Sequence, residues 1–223
     1  MQTKRKRRRY AAPVGGIFVV LALIGAITVV VASIQLTLRV LDNSSEKEEI
    51  QNIIRPVVMF NPAPFERVTD IEAIPMLQYC MWATLIEKYE TYTYGENAEL
   101  LVPASDLDVA GARLFGDEVK LQHQAFGDYE NRYYYDAKDS VYNVPNLTTQ
   151  MTVYRPQVEE IVKEDELYRV LVGYMAPNSA WNAGDQAPEK YMYYIMNKVG
   201  NTYQIVAVRD VVSGSTHYLP ETE

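Results

Sequence analysis

Two histidines and one cysteine are all that this chain offers for imidazole or thiol chemistry. His123 stands in "VKLQHQAF", in register with Leu121 and Ala125 on the apolar side of an alternating segment. An imidazole placed there is either a hydrogen-bonded structural group or, facing a pocket, a general base with an acid such as Asp210 beside it. His217 sits in the polar stretch "SGSTHYLPETE". Cys80 lies in an apolar helical stretch and reads as a small buried hydrophobe rather than a nucleophile. Asp106 and Asp108 fall in the first turn of a helix, where the dipole favours acids, and no further ligands follow at calcium-loop spacing. There is no Gly-x-Ser-x-Gly, no glycine-rich phosphate loop and no zinc-type cluster of Cys and His. The expectation is a non-catalytic chain with no cofactor and no metal, a pocket enzyme around His123 ranking behind two binding functions.

The elements that would carry any site follow a distinctive head. Lys4, Arg5, Lys6, Arg7, Arg8 and Arg9 form an unbroken cationic run, and residues 14–34 hold no charge, with Thr28 and Ser33 their only polar side chains. Such a stretch matches a hydrocarbon core of roughly 30 Å at about 1.5 Å per helical residue. A secretory signal has a shorter apolar region before its cleavage site, and here the apolar character runs on through Ile34, Leu36 and Leu38. The expected organisation is a basic cytoplasmic tail over residues 1–13, a retained transmembrane helix over 14–38 and a linker over 39–45. An extracytoplasmic domain over 46–213 and a flexible tail over 214–223 complete it. The positive-inside rule sets the cations in the cytoplasm and leaves the rest outside a cell membrane crossed once. Nuclear import and nucleic-acid binding are the competing uses of a basic run. The remaining chain carries 15 Lys and Arg against 29 acids, a balance that repels phosphate and excludes nucleic acid as a partner of the domain.

Within the domain the hydrophobic period changes once. Ser45 with Glu48, and Thr69 with Glu72, form Ser/Thr-x-x-Glu capping patterns ahead of two helices, the first broken near Pro56. Ile50, Ile53, Ile54 and Val57 share a face of the first, and Ile74, Leu77, Met81 and Leu85 a face of the second. In "VPASDLDVAGARLFG" Ser105 caps a third helix, Leu107, Ala110 and Leu114 line it, and Gly116 ends it. From Glu118 the period is two. "VKLQHQAF" reads as a strand, and three hairpins follow, turning at residues 136–140, near Asp165 and at Gly200-Asn201. Helices followed by a meander predict an α+β fold with helices packed on one face of a curved antiparallel sheet. Asn43 and Asn146 begin Asn-x-Ser/Thr sequons, which place no constraint on function.

The 18 tyrosines put phenols on both sheet faces, rings half-buried and hydroxyls wet, or offer a partner surface through side chains such as Tyr134 and Tyr193. The stretch "APNSAWNAGDQAPE" is longer than a hairpin needs and carries Trp181. That indole either anchors an interface or folds back to plug the end of the sheet.

The order of helices against a curved antiparallel sheet resembles the cystatin-like and NTF2-like superfold. A short basic tail, one span and such a domain outside is similar to the layout of VirB8-type and TcpC-type subunits of conjugation and secretion machines. The resemblance is one of layout and transfers no functional residue. It implies a membrane-anchored protein-interaction or assembly module of a bacterial envelope, held in the lipid bilayer by residues 14–38, with an envelope protein partner or a second copy. The alternative is an extracytoplasmic domain that binds or senses a small ligand in an NTF2-like cavity holding His123.

Overall fold

A computed structural model of the chain describes Gly25, Thr28 and residues 44–129, 131–145, 153–177 and 187–211. The chain divides into two units, residues 1–46 and 47–223. In the first, Gly25 and Thr28 are helical, and the Thr28 hydroxyl donates to the Gly25 carbonyl at 2.9 Å. The other residues of the expected span lie outside the described ones, as do Lys4 to Arg9, and among the described residues no helix is long and apolar enough to cross a membrane.

The second unit is α+β, with three helices on antiparallel sheets. Helix α1 covers residues 44–58 and ends two residues after Pro56, whose ring removes a helical hydrogen bond. Ser44 is already helical, so Ser45 does not cap a start. Helix α2, Ala73–Lys88, begins at Glu72 with no side-chain cap. The expected Thr69–Glu72 box is replaced two residues earlier, where the Asp70 carboxylate accepts both the Arg67 amide and its guanidinium. Leu77, Met81 and Leu85 are buried as the spacing predicts, but so are Met76, Tyr79, Cys80, Ala83 and Thr84, whereas Ile74 is half exposed. A helix buried on most sides is a central element rather than an amphipathic cover. Helix α3, Ala104–Phe115, buries Leu107, Ala110 and Leu114 and stops at Gly116. Its cap position is Pro103, and Ser105 lies inside the first turn.

Two four-stranded sheets replace the single one expected. A hairpin of β1 (Thr93–Tyr94) and β2 (Leu100–Pro103) precedes α3, and β2 pairs with β4 (Val141–Val144), itself paired with β3 (Tyr134–Asp136). The strands β5 (Arg155–Glu164), β6 (Leu167–Met175), β7 (Lys190–Val199) and β8 (Thr202–Asp210) form the other sheet in chain order. All three anticipated turns are present. "VKLQHQAF" is not a strand: its burial alternates as read, but only Phe126 pairs, in a single bridge to Tyr133. The alternation comes from packing Val119 and Leu121 against the core, without a neighbouring strand to pair with.

One core joins α1, α2, α3 and the inner faces of both sheets. On the larger sheet Val170, Tyr194 and Val208 stand opposite one another across β6, β7 and β8, and all are fully buried. Both edges of that sheet are closed by the chain itself. At β5, the Gln51 side-chain carbonyl accepts the Val158 amide at 2.8 Å, and the Lys47 ammonium donates to the Glu159 carbonyl at 2.6 Å, at the bulge between Val158 and Glu160. At β8, Phe65 exchanges both backbone hydrogen bonds with Val208. An edge treated this way offers less template for pairing with another chain. Gln51→Ala leaves the Val158 amide without its acceptor and lowers the unfolding free energy by about 1–2 kcal/mol. The loss is read as a lower urea midpoint at unchanged m-value.

Candidate functional site

The structure holds His123 at both ring nitrogens. Nδ1 lies 3.1 Å from the Tyr142 hydroxyl on β4, and Nε2 lies 3.2 Å from the Asp108 carboxylate on α3. The ring also packs against Tyr135, with centroids 5.4 Å apart. One proton assignment satisfies every group: Tyr142 O–H donates to Nδ1, and Nε2–H donates to Asp108. With both nitrogens engaged, the imidazole ties α3 to the smaller sheet and presents no free lone pair to a substrate. Asp210, the acid expected beside it, is at the far end of β8, where its charge acts on Lys190 and Tyr174.

Asp106 and Asp108 lie two apart on α3 and so point to different sides of the helix. Asp108 takes His123, while Asp106 accepts the Tyr92 hydroxyl at 2.6 Å and the Lys88 ammonium at 3.0 Å. The Tyr92 hydroxyl first, and Lys88 after it, hold the Asp106 carboxyl below the usual range. The same hydrogen bond, after burial, pushes the Tyr92 phenol up. These acids do more than answer the helix dipole: they join α3 to α2, to the segment after it and to His123. Cys80 is free and buried as read, and burial, with Asp108 nearby, pushes its thiol up to about 12. A thiol so protonated is inert as a nucleophile at neutral pH.

Beside this network opens a cleft of about 960 Å³. One wall is Glu66 to Thr69 with Ile71 and Met76, the other is Phe115 to Gln122, and Gln204, Ile205 and Val206 of β8 form a third side. Its rim is polar. Glu66 and Arg67 are occupied by Arg209 and Asp70, which leaves Asp117, Glu118 and Lys120 as charges without an ion pair among the described residues. A shallower groove of about 420 Å³ lies where the three helices meet, lined by Ile53, Pro56, Ile86 and Leu114. Among the described residues no group of three or more His, Cys, Asp or Glu is placed to hold a metal ion.

The sequence-read partner residues fall in separate places. Tyr134, on strand β3 at the edge of the smaller sheet, is 57 % exposed, with the Arg132 guanidinium 5.8 Å from its ring centroid. Tyr193 is half-buried on β7, under the Arg169 guanidinium at 4.9 Å. Trp181 lies outside the described residues, as do His217, Asn43 and Asn146. No family model, curated protein or solved structure matches this chain. The site therefore rests on its own geometry: a side-chain network that fixes α3, with an open cleft beside it.

What the sequence reading missed is the Tyr92–Asp106–Lys88 group and the pairing of His123 with Asp108. The one available signal was the alternation that turned His123 inward. Because the folded-state Asp106 carboxyl is depressed, its stabilisation is present above the unfolded value of about 3.9 and is lost as pH falls through the folded value. Asp106→Asn accordingly melts below the wild type at neutral pH, and the gap closes as pH falls below about 4. Thermal scans across that range measure it.

Proposed function

We propose that this chain is a single-pass envelope protein whose outer domain binds and positions other proteins. Residues 14–38 are its tether, and residues 4–9 stay in the cytoplasm. The fold proposed for the domain is NTF2-like. Two helices, a hairpin, a third helix, a second hairpin and a four-stranded meander follow one another, and α2 and α3 share one core with the inner face of the meander, which supports that reading.

The observation that carries an interaction role is the filling of that inner face. Tyr174, Tyr194, Tyr203, Met192 and Met196 occupy it, each fully buried or nearly so. Side chains therefore take the place where a ligand cavity would sit, and the two clefts described above lie open to the surface. Exposed aromatic side chains supply contact area outside: Tyr134, Tyr94 and Tyr129 are all more than half exposed. Aromatic rings with arginine beside them, as at Tyr134 and Tyr193, are the residue types that dominate binding energy at interfaces. Ligand sensing is the second reading, and the cleft between residues 66–71 and 115–122 is the observation in its favour.

Two measurements test the proposal. Protease added to intact cells digests the domain and spares residues 4–9; protection of the whole chain would place the domain inside. A photo-crosslinker at position 134 or 193 captures a reproducible neighbour in living cells. Trp181→Ala weakens that capture about tenfold or more, as an interface anchor does, with Tm kept. Recovery of the uncrosslinked chain alone would count against the interaction role.

A further inference from the structure

The closure of the β8 edge by Phe65 is one residue long. Val208 turns its amide and carbonyl away from β7, and both bond to Phe65, at 2.9 and 2.8 Å. Val208 stands opposite Tyr194 on β7, and Ile205 stands opposite Met196, two residues further along that strand. Backbone direction alternates along an antiparallel ladder, so Ile205 turns its amide and carbonyl outward as Val208 does. The chain after Phe65 leaves the strand for a 3-10 turn, Val68–Asp70. Among the described residues no backbone–backbone hydrogen bond from outside the sheet reaches Ile205. Gln204, Ile205 and Val206 form one side of the 960 Å³ cleft. A strand edge exposed along a cleft is where an extended peptide adds a strand, its backbone giving affinity and its alternate side chains specificity.

We infer that the cleft receives an extended, cationic segment of a partner protein, which pairs with β8 beside Ile205. This site deepens the interaction role proposed above, on which it rests. Its lining divides by depth: Val68, Met76, Phe115 and Leu121 are buried or half-buried, whereas Asp117 and Glu118 are exposed. Side chains of a strand point alternately to opposite faces, so one set of the added segment meets the apolar walls and the other meets the rim.

Charge selects the occupant. With Glu66 held by Arg209 and Arg67 by Asp70, the rim presents two acids, Asp117 and Glu118, against Lys120 alone. That balance, in a domain already rich in acids, favours Lys or Arg on the outward side of the segment. Residues 212–223 of this chain do not supply it, since their charged side chains are Glu221 and Glu223. A second copy does not fit either. Its own β8 edge lies between the same two walls, and the walls of two copies meet before their strands do.

Fluorescence anisotropy on the 223-residue chain in detergent micelles tests the site. The probe is a labelled peptide of about six residues, a common strand length, alternating valine and lysine. It binds saturably, and a peptide with glutamate in place of lysine binds weaker by about tenfold or more. Asp117→Asn combined with Glu118→Gln, both exposed, weakens the lysine peptide about fivefold, the weight of two surface charge pairs. Two further peptides carry methyl groups on the amides of the valines alone or of the lysines alone. One set of amides points at β8 and the other away, so one peptide loses about tenfold or more and the other keeps its affinity. Absence of saturable binding, equal binding of the glutamate peptide or unchanged affinity in the double variant overturns the inference. An equal response of the two methylated peptides overturns it as well. A neighbour still captured at position 134 or 193 after such a result leaves the interaction role in place at another surface.

Discussion

Burying a phenol removes water from a hydroxyl that must then find another partner. The domain is built around that demand. Tyr142, Tyr174, Tyr194 and Tyr203 are among its largest fully buried side chains, and each hydroxyl has a partner. Tyr174 and Tyr194 bond to each other at 2.7 Å, Lys198 donates to Tyr203 at 2.9 Å, and Tyr142 has His123 at 3.1 Å. The apolar rings give the core its volume, and the hydroxyls fix which element sits against which. Tyr174 meets Tyr194 only if β6 and β7 hold their register, and Tyr142 meets His123 only if residues 117–126 return past β4. A leucine core of equal volume would tolerate sliding that this one does not.

The second constraint is the edge of the larger sheet. A four-stranded meander leaves β5 and β8 with one unpaired side each. The segment before the meander deals with both: α1 sets Gln51 and Lys47 against the bulge in β5, and the connection to α2 lends Phe65 to β8. Two residues four apart on a helix serve two successive backbone groups of a strand, which works because the bulge turns those groups outward. Helices and sheet are thus joined by hydrogen bonds as well as by apolar contact.

The hairpins were legible because turn chemistry is local: Asp165 and Gly200-Asn201 sit between runs of alternating period, and the turns form there. The third helix was legible from Leu107, Ala110, Leu114 and Gly116 for the same reason. Period two marks a face and does not mark a partner, so "VKLQHQAF" shows the alternation of a strand without being one. Capping patterns misled where several acids compete within one turn, as Asp70 does with Glu72. The division into two sheets was hidden, because β1 and β2 are short and Gly95 to Glu99 carry little hydrophobic signal. Wet hydroxyls were expected of the tyrosines, and at Tyr134 that holds. At Tyr174 and Tyr194 the two phenols satisfy each other, a pairing twenty residues apart that composition does not reveal. His123 was rightly turned inward, but its acid came from a helix rather than from β8, since contacts between distant elements leave no spacing to read.

The sealed phenols set a ceiling at the alkaline end. Burial pushes Tyr79 up to about 12, and pushes Tyr174 and Tyr194 up as well. A group whose folded value is raised stabilises fully below the unfolded value of about 10 and loses that contribution as pH climbs through the folded one. Phenolate absorbs ultraviolet light that phenol does not. The interior rings therefore keep the phenol spectrum in strong base until the fold gives way, so the chain carries its own optical gauge of whether its centre is still closed.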